Sequence, residues 1–366
     1  MNMDEDYNSF YNLEDDEYYN NSTYTFDNET TLFNITSTSS NAINLPPQIL
    51  ASLVLYALVF LLGVPGNLLV IWITGFEMKR TVNTIWFLHL SIADLLCCLT
   101  LPFLAMQVIL DQHWPLGIVI CKLIPPLALL NMYMSVLLLA TISADRCALV
   151  LKPVWCQNNR TVLKATAVCI SLWLLALLMT TPSFFFQSIY SPPLTHKEVC
   201  TMHYAKAGNH QNTVKISVVT YRFVLGFVVP FFMITICYGL LISKVKSSRF
   251  SQSSKTLKIV LTVIIGFFVC WFPYHVTAII LASQPPTSNL FLSTHRADPI
   301  VVSLAYINSC INPIIYVLMG QDFKQKFKKN IKSILKNVLT DDTSQFTSES
   351  RKTRSTLEER HTDTKV

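Results

Sequence analysis

Charge is scarce in this sequence: only 14% of its 366 residues are Asp, Glu, Lys or Arg, while 51% are hydrophobic. That is too few charges to cover the surface of a soluble chain of this length, so a soluble domain is excluded and a membrane protein is read instead. Lys and Arg are absent from residues 1–46, and Asp and Glu are absent from Phe250 to Ile265. No Cys follows Cys310, which excludes a palmitoyl anchor on the C-terminal tail. The acidic N-terminus lacks the apolar core of a cleavable signal peptide, so the first span is expected to direct insertion. No nucleophile, base and oxyanion set faces either side of the membrane. The chain is therefore not read as an enzyme, and nothing in it points to a nucleic-acid partner.

A spanning helix needs about 20 mostly apolar residues. Seven such stretches are predicted, at 47–74, 83–110, 118–151, 162–183, 213–244, 255–283 and 296–319. The fold class is an all-α membrane protein, a seven-transmembrane helix bundle spanning 47–319 with a short amphipathic eighth helix at 320–336. Basic residues gather in the connections after spans one, three and five: Lys79 and Arg80, Lys152 and Arg160, then Lys244, Lys246, Arg249, Lys255 and Lys258. The positive-inside rule then puts the N-terminus outside and the C-terminus inside, as expected for a multi-pass plasma-membrane protein.

Residues 1–46 are acidic and poor in aliphatic side chains, so they are expected to form a disordered extracellular tail. Asn20, Asn21, Asn28 and Asn34 each open a glycosylation sequon there. Tyr7, Tyr11, Tyr18 and Tyr19 lie among carboxylates, a context suited to sulfation that would deepen the negative charge. Such an arm attracts a basic partner. Beyond the spans, Phe323, Phe327 and Ile331 recur at helical spacing among lysines, the pattern of a helix lying on an anionic lipid surface. Residues 337–366 read as a disordered cytoplasmic regulatory tail in which phosphorylation of Ser344, Ser348, Ser350 and Ser355 would build a negative patch. Most cysteines fall inside spans as small apolar residues. Cys121, opening span three, and Cys200, between spans four and five, both face the oxidising side and are expected to pair.

An ionisable residue near the bilayer centre costs roughly 2.5–3.5 kcal/mol, so Asp94 in span two is a functional candidate. Ser135, Asn308 and Asn312 are its expected partners, with Asn67 in the same network. Together they offer oxygen ligands for a small hard cation such as sodium, or else form a purely structural polar cluster. No other cofactor is expected. Pro102, Pro230, Pro273 and Pro313 each remove a helix hydrogen bond and bend spans two, five, six and seven. Trp271, just before Pro273, is placed to change rotamer with the bend. Arg222 and Asp298 sit at the outer ends of spans five and seven and are expected to face one cavity above Trp271. A mutual salt bridge or snorkelling to the interface is the alternative.

These residues resemble, nearly motif for motif, the rhodopsin-like G-protein-coupled receptors. The resemblance covers about Leu50 to Phe327 and rests on Gly66-Asn67, Leu90 to Asp94, Ala144-Asp145-Arg146-Cys147, Trp173, Pro230 with Tyr238, Cys270-Trp271-Phe272-Pro273-Tyr274, and Asn312-Pro313-Ile314-Ile315-Tyr316. It implies that Arg146 contacts the G-protein on activation and that Tyr238 and Tyr316 rearrange around it. Asn312 and Pro313 would belong to the same activation machinery, Trp271 would be the toggle, and Asp94 would be the carboxylate of a sodium site. Cys147 stands where the family usually has Tyr. With no acid from Phe250 to Ile265 to hold Arg146 from span six, Asp145 is expected to be its main restraint. Ala128 and Leu129 stand where amine receptors carry Asp, and Tyr306 where opsins carry Lys, so aminergic ligands and retinal are not expected.

Asn131-Met132-Tyr133, the run from Leu137 to Arg146, Lys152-Pro153-Val154-Trp155-Cys156-Gln157-Asn158 and His113-Trp114-Pro115 are similar to the chemoattractant branch, and within it to the anaphylatoxin receptors. That likeness implies a basic anaphylatoxin protein as ligand and a heterotrimeric Gi-class G-protein as partner, leading to calcium release and leukocyte chemotaxis. Arrestin and receptor kinases are implied as regulators, and the lipid bilayer as surrounding solvent. Arg222 and Asp298 would receive the ligand's C-terminal arginine, with Tyr274, Met132, Leu129 and Trp114 around it. Gln187 and Lys215 replace an Arg and a Glu of the family's pattern. A formyl-peptide-type or chemokine-type receptor, or a weakly coupling sister receptor, is the alternative; intact Arg146 and Asn312-Pro313-Ile314-Ile315-Tyr316 oppose the last. A transporter would need internal repeats and broken half-helices, and neither is seen.

Overall fold

In lipid every backbone polar group must be satisfied within its own segment, so long apolar runs become helices. The computed structural model describes residues 45–191, 197–247 and 254–319 and is helical almost throughout. The N-terminal arm with its sequons and tyrosines, the 320–336 segment and the serine-rich tail lie outside the described residues. So does the side chain of Tyr316.

The helices are α1 (Pro47–Trp72), α2 (Val82–Cys98), α3 (Leu101–Ile109), α4 (Gly117–Leu151), α5 (Pro153–Asn159), α6 (Val162–Phe186), α7 (Gln211–Phe223), α8 (Val229–Ser247), α9 (Ser254–Ser283) and α10 (Asn289–Met319). Wide π turns close α1 (Ile73–Glu77) and join α7 to α8 (Val224–Val228). Seven membrane-length rods result, with α2 and α3 forming the second and α7 and α8 the fifth. Six of them are long and apolar enough by composition to cross a bilayer, among the described residues. The seventh, α10, begins seven residues before the expected position 296, in a polar outer turn that carries Thr294, His295, Arg296 and Asp298. Hydropathy undercounts such a turn.

The prolines act locally. The second rod breaks at Leu99 and Thr100, just ahead of Pro102, and the Thr100 hydroxyl donates to the Cys97 carbonyl at 2.7 Å in the loosened turn. Pro230 cannot donate back to Gly226, and the π turn immediately before it takes up the missing bond. Pro125 and Pro126 also lie inside α4 without ending it. Helix starts carry caps: Thr81 and Thr84 form a reciprocal capping box on α2, and the Thr161 side chain accepts from Lys164 N–H at the start of α6.

The bundle turns apolar side chains outward as well as inward and sets its polar residues within an apolar core. Leu163, Leu178, Val269 and Leu61 present 65–80% of their surface outward, while Ser91, Asp94, Asn131, Ser135, Asn308, Ser309 and Asn312 are buried. Helix α4 is the axis: 67% of its apolar window is buried, against 22% for α1 and α6. It packs on α6, α8 and α2, while α10 packs between α1 and α9. Close approaches depend on small residues. A Cβ on Gly63 would lie 2.5 Å from Cys98 Sγ, and one on Gly226 would lie 2.8 Å from Met132 Cε.

On the outer side the chain forms an antiparallel hairpin, β1 (Gln187–Tyr190) and β2 (Val199–Met202), with Ile189 opposite Cys200. The expected disulfide is present: Cys121 and Cys200 are bonded, tying β2 to the start of α4. The hairpin itself was not expected. Its strands are only four residues each, too short to show an alternating pattern.

Candidate functional site

At the outer end, Arg222 of α7 is buried, with 5% of its surface exposed. Its Nη1 donates to the Tyr274 hydroxyl at 2.6 Å, its Nη2 lies 3.5 Å from Met202 Sδ on the hairpin, and its charge lies near the Tyr133 and Tyr204 hydroxyls. Tyr274 in turn meets Trp271 edge to face, with ring centroids 5.5 Å apart. Asp298 lies elsewhere on the same rim, beside Thr277 and His295. Thr277 is one turn above Tyr274 and donates to its carbonyl at 3.0 Å. Arg222 and Asp298 thus meet residues one turn apart at the outer end of α9, and they do not form the alternative mutual salt bridge.

Two of the expected ligand contacts lie fully buried. Trp114 is fully buried against the Cys121–Cys200 disulfide, its ring N–H donating to Gly117 O at 3.1 Å, and it presents no surface to a ligand. Met132 is also fully buried, packed against Gly226. Leu129 is 8% exposed within the core. Gln187 starts β1 and sits 3.2 Å from Cys200 Sγ, turned toward the disulfide. Lys215 is half-buried on α7.

At mid-depth Asp94 is completely buried. Its Oδ1 accepts from Asn131 Nδ2 at 2.9 Å and its Oδ2 from Asn312 Nδ2 at 2.7 Å, joining α2 to α4 and α10. The Asn131 partner was missed, although it lies one helical turn before Ser135 on the same face. The expected Ser135 and Asn308 make no hydrogen bond to Asp94; Ser135 Oγ and Asn308 Nδ2 have no partner. Asn67 joins the network through backbone, donating to Gly63 O at 3.0 Å and Ser309 O at 2.8 Å. Asn312, bonded to the buried Asp94 carboxylate, keeps its Oδ1 unpartnered, and buried Ser91 and Ser135 likewise have unpartnered hydroxyl oxygens, the kind of donors that suit a small hard cation.

At the inner end Asp145 still attracts the Arg146 charge but makes no hydrogen bond to it. Both its oxygens accept from Arg160, whose Nε is 2.7 Å from Oδ1 and whose Nη2 is 3.0 Å from Oδ2. Arg160, which closes α5, thus holds the carboxylate in a bidentate fork. Arg146 Nη2 instead donates to Asn83 Oδ1 at 2.6 Å, an acceptor it shares with Arg160 Nη2, also at 2.6 Å. Tyr238 of α8 lies close enough to act on the Arg146 charge. Arg160 was legible only as one of the inner basic residues, and Asn83 not at all. Trp271 is 3% exposed with its ring N–H unpartnered.

The sequence profile of the 7 transmembrane receptor (rhodopsin family) matches residues 66–316. The chain is 45% identical over 307 residues to the C5a anaphylatoxin chemotactic receptor 1 of Oryctolagus cuniculus, covering 83% of this chain and 87% of that protein. It is 48% identical over 289 residues to the protein of the same name from Homo sapiens, with 78% and 80% covered. The C3a anaphylatoxin chemotactic receptor of Danio rerio is 45% identical over 275 residues, with 75% and 73% covered. With the bundle, the outer disulfide and the matched span in agreement, this chain belongs to the rhodopsin family of seven-transmembrane receptors.

Proposed function

We propose that the chain is a plasma-membrane receptor for a basic complement anaphylatoxin of the component 5a type, with its N-terminus outside and its C-terminus in the cytoplasm. The observation that carries the reading is Arg222: a buried cation at the outer end of the bundle whose acceptors are neutral, a phenol and a thioether. A ligand carboxylate would meet there the strong partner that the resting site lacks. Asp298, on the same rim, would take the guanidinium of a C-terminal arginine. The acidic arm of residues 1–46 would capture the basic body of the ligand first.

Binding at Arg222 and Tyr274 bears on Trp271, and through α9 on the inner end, where Arg146 would engage a Gi-class G-protein and lead to calcium release and chemotaxis. Tyr238, Asn312, Pro313 and Tyr316 would rearrange in that step, and arrestin and receptor kinases would act on the serine-rich tail. A sodium ion held by Asp94 with Ser135 and Asn312 would favour the resting arrangement. Relatives named for C5a and for C3a are nearly equally similar, so the choice between anaphylatoxins is the point to test. Calcium responses of transfected cells to C5a-type, C3a-type, formylated-peptide and chemokine ligands are expected to be largest for the C5a type. A larger response to any other class would overturn the assignment.

A further inference from the structure

Arg146 and Arg160 converge on one oxygen, Asn83 Oδ1, each at 2.6 Å. Two guanidinium groups brought to a single neutral acceptor repel each other, and Arg160 does oppose the Arg146 charge. What holds Arg160 there is Asp145, which it binds with both arms of its fork. The carboxylate next to Arg146 in sequence is thus consumed by a residue of the second cytoplasmic connection. Arg146 Nε is buried without a partner, and the sequence has no acid from Phe250 to Ile265 to offer from the base of the sixth span.

We propose that Arg160 is a positioning residue for coupling: it occupies the hydrogen-bonding oxygens of Asp145, so that the coupling arginine stands charged with no carboxylate hydrogen-bonded to it among the described residues, ready for an acceptor on a G-protein. The inference rests on the reading of Arg146 as the coupling residue. Asn83 completes the device by fixing the separation of the two guanidinium groups. The Arg160–Asp145 pair, with side chains 22% and 12% exposed, is only partly screened, so removing the Arg160 fork leaves Asp145 free to turn to Arg146.

The test uses the full chain in lipid discs with purified heterotrimeric Gi, reading ligand binding and agonist-stimulated nucleotide exchange. Arg160→Gln should let Asp145 turn to Arg146 and lower exchange by about fivefold, the scale of a partly exposed ion pair, with ligand affinity kept in the absence of G-protein. Adding Asp145→Asn to Arg160→Gln should restore exchange, because no carboxylate then remains to capture Arg146. Arg160→Lys, which keeps the charge but loses the fork, should give a smaller loss and serves if the Gln variant expresses poorly. Unchanged or raised exchange in Arg160→Gln, or a double variant as low as the single one, overturns the proposal. A second readout does not depend on coupling: labelling of Arg146 by phenylglyoxal, located by peptide mass. Labelling should slow in Arg160→Gln and recover in the double variant. If the wild type activates no G-protein but labelling follows this pattern, the coupling reading fails while the positioning role stands. Labelling at equal rates in all three proteins overturns that role.

Discussion

Arg222 of the fifth span and Tyr274 of the sixth are joined by a 2.6 Å hydrogen bond at the outer end of the bundle, from guanidinium to phenol. The bond connects a buried charge to the ring packed edge-on against Trp271, one turn from it and beside Pro273. Burial of an arginine on neutral acceptors leaves its charge uncompensated, and a ligand carboxylate supplies what is missing.

Truncating one member of a buried charged pair costs about 2–5 kcal/mol, or roughly thirtyfold to a few thousandfold in affinity. Arg222→Ala should therefore weaken an arginine-ended peptide copy of the anaphylatoxin C-terminus by that factor, and Asp298→Asn should affect mainly recognition of the arginine side chain. Competition binding with the same peptide lacking its terminal arginine checks the assignment. Equal losses for both peptides on Asp298→Asn would remove Asp298 from the site.

The spans were legible because lipid leaves the chain no alternative to helix, and five of the seven observed starts fall within one residue of the apolar boundaries. The seventh was shortened because its outer turn is polar. Asp94 and Asn312 could be found as costly groups at membrane depth. Asn131 could not be ranked above Ser135, since both lie on one face of α4 and only the relative rotation of the helices decides which reaches the carboxylate. Asp145 was assigned to Arg146 because no acid from Phe250 to Ile265 could hold it from the sixth span. The competing Arg160 comes from 15 residues further on, and its approach depends on how α5 turns the chain back under the bundle. Contacts set by loop geometry of this kind carry no periodic signal.

The mid-depth cluster gives a salt-specific prediction. A ligand that binds one of two states better shifts their balance toward it, so sodium held at Asp94 should weaken agonist binding when potassium at equal ionic strength does not. Asp94→Asn should abolish the difference between the salts. Ser135→Ala, which removes an unpartnered oxygen and no observed hydrogen bond, should reduce it at little cost to thermal stability. A sodium effect that survives Asp94→Asn would make the cluster structural only.

The acidic N-terminal arm should act on association more than on dissociation. Long-range attraction between charges is screened by salt, with a Debye length of about 8 Å at physiological ionic strength, so the contribution should fall as salt rises. Deleting residues 1–30 is expected to slow association of the whole basic ligand while leaving a short C-terminal peptide almost unaffected, as read by surface plasmon resonance at two salt concentrations. Equal slowing of protein and peptide would refute capture by the arm.

Gly63 on α1 and Cys98 at the end of α2 make a packing prediction that is independent of ligand. A Cβ at Gly63 would fall 2.5 Å from Cys98 Sγ, while Cys310 Cβ stands 3.7 Å away on the other side. The Gly63 carbonyl also accepts from Asn67, which reaches on to Ser309 of α10, so α1 cannot shift outward without disturbing that link. Gly63→Ala should thus overpack the junction by about 1–3 kcal/mol, seen as a lower melting temperature of the solubilised receptor. Cys98→Ala removes the clashing sulfur, and the two substitutions together should recover most of the loss that Gly63→Ala causes alone. Contacting residues couple in this way, whereas independent ones add. Simple addition of the two losses would show that α1 and α2 do not meet through this pair.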